Sequence, residues 1–198
     1  MEPARSPSGG AEIELSPPER LAVLYAPRRL QALWEGFLLL DWRLADAARE
    51  GRDPLMIQLR LAWWRDRFEQ PANAWPLGEP LLALLHAWDS ERPALRALVD
   101  GWEARIVGED GGAELGKARI EAVCALARLS GVRPDDAVRR AAAEWLGLEP
   151  ESTSAPILPG PLRPLVILRG MALREATGRP GGPLRDFLAI LRLGLFGR

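Results

Sequence analysis

The sequence predicts an all-α fold, an irregular and mostly antiparallel helical bundle. Three observations support this prediction. Apolar residues recur at helical spacing along most of the chain, prolines and capping residues begin successive segments, and no useful length of sequence alternates polar with apolar residues. The 198 residues, of which 47% are hydrophobic, suit one domain with a sizeable core.

The first two helices are marked by residues at their ends. Ser16 and Glu19 fit a capping box at the start of the first helix, and Pro27 should bend or end that helix. The second helix is expected from about Arg28 to Glu50, because Gly51 follows as a typical stop.

The third helix is expected to begin where Asp53 can act as the cap and Pro54 fits the first helical position. Its apolar residues include a set at helical spacing, which predicts one buried stripe. The members of that predicted stripe are Leu55, Leu59, Ala62, Trp63 and Phe68.

Six further helices are predicted between loops that are rich in glycine and proline. They are expected over residues 79–88, 93–106, 114–130, 134–146, 162–177 and 183–196. Residues 149–160 hold three prolines and are typical of a linker before a C-terminal helical pair. The predicted organisation is therefore a disordered leader over residues 1–15 and a single helical domain over residues 16–198.

The composition excludes several classes of function. Acidic and basic residues nearly cancel, 27 against 26, which disfavours a nucleic-acid partner. One histidine, His86, and one cysteine, Cys124, are too few for a disulfide framework or a Cys/His zinc site. No apolar run approaches the roughly 18 residues of a membrane-spanning helix, so a cytoplasmic location is predicted. The basic, amphipathic last helix predicts either docking onto the bundle or peripheral membrane contact.

One segment carries a family resemblance. Residues 53–68, DPLMIQLRLAWWRDRF, resemble the block EPMLGEIRLQWWRDAL of the squalene/phytoene synthase family of head-to-head prenyl synthases. Residues 20–44 are similar to the opening helices of that family, and the likeness extends over roughly residues 17 to 107. It is closest to the divergent branch that includes complex-I assembly factors. The resemblance implies a truncated type I isoprenoid synthase fold.

The chain departs from this family where the family's chemistry resides. Active members hold Mg²⁺ between two Asp-x-x-x-Asp motifs, which bind the diphosphate of the substrate. Asp41 lies where the first motif should begin, but Asp46 is five residues on, about 140° round an ideal helix. Asp46 and Glu50 do share a helical face and could contact a cation, but Arg43 and Arg49 nearby favour ordinary surface ion pairs. No second Asp-x-x-x-Asp occurs between residues 98 and 148.

The tryptophans and arginines of the third helix suggest either a packing role or a binding role for that helix. Arg60 and Trp64 are four residues apart, as are Trp63 and Arg67, so stacking within the helix is feasible. One tryptophan is then expected in the core and the other over a groove between helices. Alternatively, Arg60 and Arg65 line a cavity or contact acidic groups of a partner.

The resemblance and the departures from it together predict a family member that has lost catalysis and acts as a binding or assembly protein without a cofactor. Two alternatives stay open, a Mg²⁺-dependent prenyl transferase and an isoprenoid- or lipid-binding protein. The expected partner is accordingly a protein or a prenyl or lipid ligand. The candidate substrate-binding residues are Asp41, Asp46, Glu50, Arg60 and Trp64.

Overall fold

The computed structural model describes residues 14–49, 51–108, 111–152 and 155–177, and these residues are helical without any strand, which confirms the all-α prediction. Most of the predicted leader and the whole of the predicted last helix lie outside the described residues. The α-helices are α1 (Pro17–Leu24), α2 (Arg28–Ala47), α3 (Pro54–Glu69), α4 (Pro80–Leu85), α5 (Arg92–Val107), α6 (Ala113–Leu129), α7 (Asp136–Trp145) and α8 (Arg163–Ala176).

The helices begin at the capping residues that the sequence indicates. The backbone N–H of Ser16 donates to a carboxylate oxygen of Glu19 at 2.8 Å, as in a capping box. Oδ1 of Asp53 accepts from the backbone N–H of Leu55 at 2.8 Å at the start of α3. Asp135 likewise caps α7 by accepting from the next turn. These caps satisfy backbone donors that a helix leaves without partners at its first turn.

Two predicted helix ends are wrong by a few residues. The second helix ends at Ala47 rather than Glu50, and Gly51 lies beyond it with a left-handed φ of 83° that glycine tolerates. The helix predicted over residues 79–88 is α only as far as Leu85. It then tightens into a 3-10 helix at His86–Glu91, where such turns commonly continue an α-helix.

The core is built around α2, which packs against α1, α4, α5 and α6. Trp34, Phe37, Leu40 and Leu44 are fully buried along it. The indole N–H of Trp88 donates to the backbone carbonyl of Leu33 at 3.3 Å, so this buried tryptophan keeps a hydrogen bond. Helix α2 is therefore held on several sides, which fixes the position of the polar residues near its C-terminal end.

Helix α3 runs antiparallel to α5, and ion pairs fix its rotation. Arg65 Nε donates to Asp100 at 2.7 Å, and its guanidinium also pairs with Glu103. Near the end of α3, Glu69 pairs with Arg96 at 3.3 Å, close to the start of α5. The first half of α3 consequently lies beside the end of α5.

The predicted buried stripe of α3 is wrong for most of its members. Leu55 is 67% exposed, Leu59 55% and Trp63 38%, and Ala62 is half-buried; only Phe68 is buried as predicted. The buried residues of the helix are Ile57, Leu61, Trp64 and Phe68. The helix carries apolar residues on more than one side, so spacing alone allows two different buried stripes. The ion pairs of Arg65 select the stripe that contains Leu61 and Trp64.

The segment predicted as a linker joins two helices that pack on each other. Helix α8 packs against α7 and α1, and its Leu165 and Ile167 are fully buried in the main core. A buried ion pair joins Glu144 of α7 to Arg169 of α8. Within the segment itself, the backbone N–H of Ser152 donates to Glu144 at 3.2 Å. Glu144 thus ties both α8 and the preceding loop to α7.

Among the helices that the structure describes, none combines the length and apolarity needed to cross a membrane.

Candidate functional site

Asp41 is the centre of a polar contact between three helices. Its Oδ1 accepts from the indole N–H of Trp102 at 2.8 Å and from Nε of Arg119 at 3.1 Å. Its Oδ2 lies 2.8 Å from a terminal nitrogen of Arg119. The Arg119 guanidinium also lies over the Trp102 ring, 5.1 Å from its centroid. Asp41 therefore joins α2 to α5 and α6, and both of its oxygens are engaged.

Asp46 binds a different pair of arginines one turn further along α2. Its Oδ1 lies 2.6 Å from Arg49 and its Oδ2 lies 2.7 Å from Arg52. The two aspartates share no partner, which fits the divergence that their five-residue spacing predicts. Glu50 lies outside the described residues. We call Asp41, Asp46 and their arginine and tryptophan partners the α2 junction.

The α2 junction borders an open cleft of about 360 Å³. Arg49 and Arg52 line it from the end of α2, and Arg105 lines it from α5. Trp102 and Ile57 supply apolar wall. The cleft presents Arg105 beside an aromatic ring, together with Arg49 and Arg52, which already pair with Asp46. This combination suits an anion more than a cation.

The carboxylates of the α2 junction are poorly disposed for metal binding. Both oxygens of each aspartate already bind arginine, so Mg²⁺ would have to compete with these ion pairs. Across the described ranges, no three Asp, Glu, His or Cys side chains cluster closely enough to hold a metal ion.

Arg60 and Trp64 do not join this junction. Trp64 is 5% exposed, stacks on Phe68 with ring centroids 5.7 Å apart, and meets the edge of Trp63 at 4.9 Å. Arg60 is exposed one turn before Trp64. Neither residue lines the cleft beside Asp46. The predicted set of substrate-binding residues is thus divided between the junction and α3.

The exposed side of α3 is the second candidate site, which sequence reasoning assigned to the core. We call it the α3 face; its members are Leu55, Met56, Leu59, Arg60, Trp63 and Arg67. The guanidinium of Arg67 lies 5.7 Å from the Trp63 ring centroid, as the four-residue spacing predicts. One signal was available: two of the six members are arginines, which seldom occupy a buried stripe.

Three other residues with polar or ionisable side chains, His86, Cys124 and Asp135, lie elsewhere in the fold. His86 is exposed at the start of a 3-10 helix, away from the junction. Cys124 is fully buried, and desolvation raises the pKa of its thiol, which keeps the sulfur protonated and unreactive at neutral pH. Asp135 caps α7, where its Oδ1 accepts from the backbone N–H of Val138 at 3.0 Å.

Comparison of the chain with protein-family models, with curated proteins and with solved structures finds no match. The resemblance of residues 53–68 to squalene/phytoene synthases therefore stays a prediction. The two candidate sites are the α2 junction and the α3 face.

Proposed function

We propose that this chain is a squalene/phytoene synthase-like protein that does not transfer prenyl groups and acts as a binding or assembly protein. The main support for the proposal is that the two candidate aspartates already form ion pairs. Asp41 and Asp46 each bind arginine through both oxygens, within their own chain. The charge of Asp41 joins α2 to α6, and the charge of Asp46 holds the turn that follows α2.

The second support is the amount of apolar surface on α3. Leu55, Met56, Leu59 and Trp63 are all exposed on one helix, although buried leucine and tryptophan would stabilise the fold by roughly 1.5–3 kcal/mol or more each. A contiguous apolar patch rimmed by polar residues commonly marks an interaction site. The surface is therefore suited to a binding partner.

A second candidate function has one observation in its favour. The cleft beside Asp46 is lined by Arg49, Arg52 and Arg105, and arginines of this kind could hold the diphosphate of a prenyl substrate. A prenyl transferase or a prenyl-binding protein would both use such a cleft. Turnover measurements and binding measurements separate these two functions.

The test uses the purified full chain with farnesyl diphosphate and geranylgeranyl diphosphate, each with and without Mg²⁺. Release of pyrophosphate and formation of a coupled or hydrolysed prenyl product are measured together. The proposal expects neither above a protein-free control. Mg²⁺-dependent turnover that disappears in Asp46→Asn would overturn the proposal and establish the transferase.

Binding without turnover is measured separately through tryptophan fluorescence, because Trp102 lines the cleft. The prenyl-binding function predicts a saturable change with farnesyl diphosphate that Arg105→Ala weakens. Arg20→Ala is the matched control, since Arg20 is an exposed arginine on α1 that pairs only loosely, at 3.7 Å, with Glu14.

A further inference from the structure

We propose that the α3 face is a docking site for an acidic amphipathic helix of a partner protein, an inference that rests on the binding function proposed above. The face presents an apolar ridge along one side of a helix, since residues 55, 56, 59 and 63 follow helical spacing. Recognition of an amphipathic helix by such a surface uses apolar anchors at the same spacing on the partner.

The apolar part of the face consists of large side chains, those of Leu55, Met56, Leu59 and Trp63. Because α3 is antiparallel to α5, the exposed Ile106 at the end of α5 lies near the first half of α3, where it lines the same cleft as Ile57. Tryptophan, methionine and arginine, all present on the α3 face, are enriched at the centres of protein interfaces.

The charges of the face determine the chemistry of the partner. Arg60 forms no ion pair with any residue in the described ranges, and Nε of Arg67 is buried without a hydrogen-bond partner there. On the inner side of the same helix, Arg65 is held by Asp100 and Glu103. The α3 face thus has one exposed cation, Arg60, and one half-buried cation, Arg67, for which a partner's carboxylates would be the complement.

Charge also distinguishes this partner from other occupants of the face. Binding to an anionic membrane surface requires a cluster of several basic residues, whereas the α3 face has only two arginines, with Asp66 exposed beside them. The chain's own C-terminal segment carries Arg185 and Arg192, and a second copy would bring further arginines. An acidic helix is the occupant that fits best.

The experiment measures binding of two designed, fluorescein-labelled helical peptides to the full chain by anisotropy. Both peptides carry leucine at positions i, i+3, i+4 and i+7; one has flanking glutamates, and in the other each glutamate is replaced by lysine. Saturable binding of the acidic peptide is expected, at least about tenfold tighter than that of the lysine peptide, a difference that close charge pairs readily supply.

Two variants locate the binding on α3. Leu59→Asp should abolish binding of the acidic peptide, whereas Leu77→Asp should leave it unchanged, because Leu77 is a fully exposed leucine in the loop before α4. Arg60→Glu should reverse the preference toward the lysine peptide. Far-UV circular dichroism of each variant checks that it is folded.

The inference is overturned by absence of saturable binding up to about 1 mM peptide, the limit of weak association, by equal binding of both peptides, or by full binding to Leu59→Asp. It is also overturned if Leu59→Asp dissociates a homodimer in light scattering, or abolishes binding to phosphatidylglycerol vesicles, since the face would then belong to a second copy or a membrane. None of these results implies prenyl turnover, so the proposed function fails only in its own assay.

Discussion

The rotation of α3 is tested by shortening two leucines that are two residues apart on that helix. Leu61 is fully buried, whereas Leu59 is 55% exposed. Truncation of a buried leucine to alanine costs about 2–5 kcal/mol in the free energy of unfolding, from lost burial and the cavity that remains. An exposed leucine away from such packing changes it by about 0.5 kcal/mol or less.

The measurement is thermal unfolding of Leu61→Ala and Leu59→Ala, monitored by far-UV circular dichroism. For a domain of this size, 1 kcal/mol corresponds to roughly 2–4 °C in Tm, so Leu61→Ala should melt at least about 4 °C below the wild type and Leu59→Ala within about 2 °C of it. The reverse order would refute the rotation, because residues 55, 59 and 63 would then form the buried stripe.

Three further predictions concern groups held inside the fold. Glu144→Gln leaves Arg169 buried with a weakened partner, so the free energy of unfolding should fall by about 3–5 kcal/mol in denaturant titration; a change under 1 kcal/mol contradicts this. Asp41→Asn weakens the ion pair with Arg119 and should cost about 1–3 kcal/mol, with a shift in the tryptophan emission spectrum; an unchanged spectrum and stability would mean that the contact is absent. The pKa of the Cys124 thiol is raised in the folded protein, so the thiol stabilises the fold below the pKa of the unfolded thiol, about 8.5. That contribution is lost as the pH rises through the pKa of the folded thiol. Cys124→Ala should therefore flatten the fall in stability between pH 8 and 10.

The helical elements were largely predictable from local sequence. Ser16, Asp53 and Asp135 satisfy backbone donors within their own first turns, and such contacts depend on residues only a few positions apart. The early end of α2 was less predictable. Asp46 forms an ion pair with Arg52, which lies beyond Gly51. The spacing of apolar residues along a helix does not reveal such a contact across a turn.

The rotation of α3 was not predictable from its own residues. The helix has apolar side chains all round, and the choice between its two stripes depends on Asp100 and Glu103, about 35 residues away along the chain. The partners of Asp41 were hidden for the same reason, since Trp102 and Arg119 come from helices that only the tertiary fold brings together. Sequence reasoning found the carboxylates and the pairing of Asp46 with Arg49, but not the partners of Asp41.

We propose that the chain functions through the α3 face and not through the carboxylates of α2. Complementation of a deletion strain of the native host with Asp46→Asn and Leu59→Asp, expressed at equal levels, separates these two possibilities. Asp46→Asn should restore the wild-type phenotype, because that aspartate serves an ion-pair role worth about 1 kcal/mol or less at a partly exposed site, and Leu59→Asp should fail. Failure of Asp46→Asn together with full rescue by Leu59→Asp would contradict the claim.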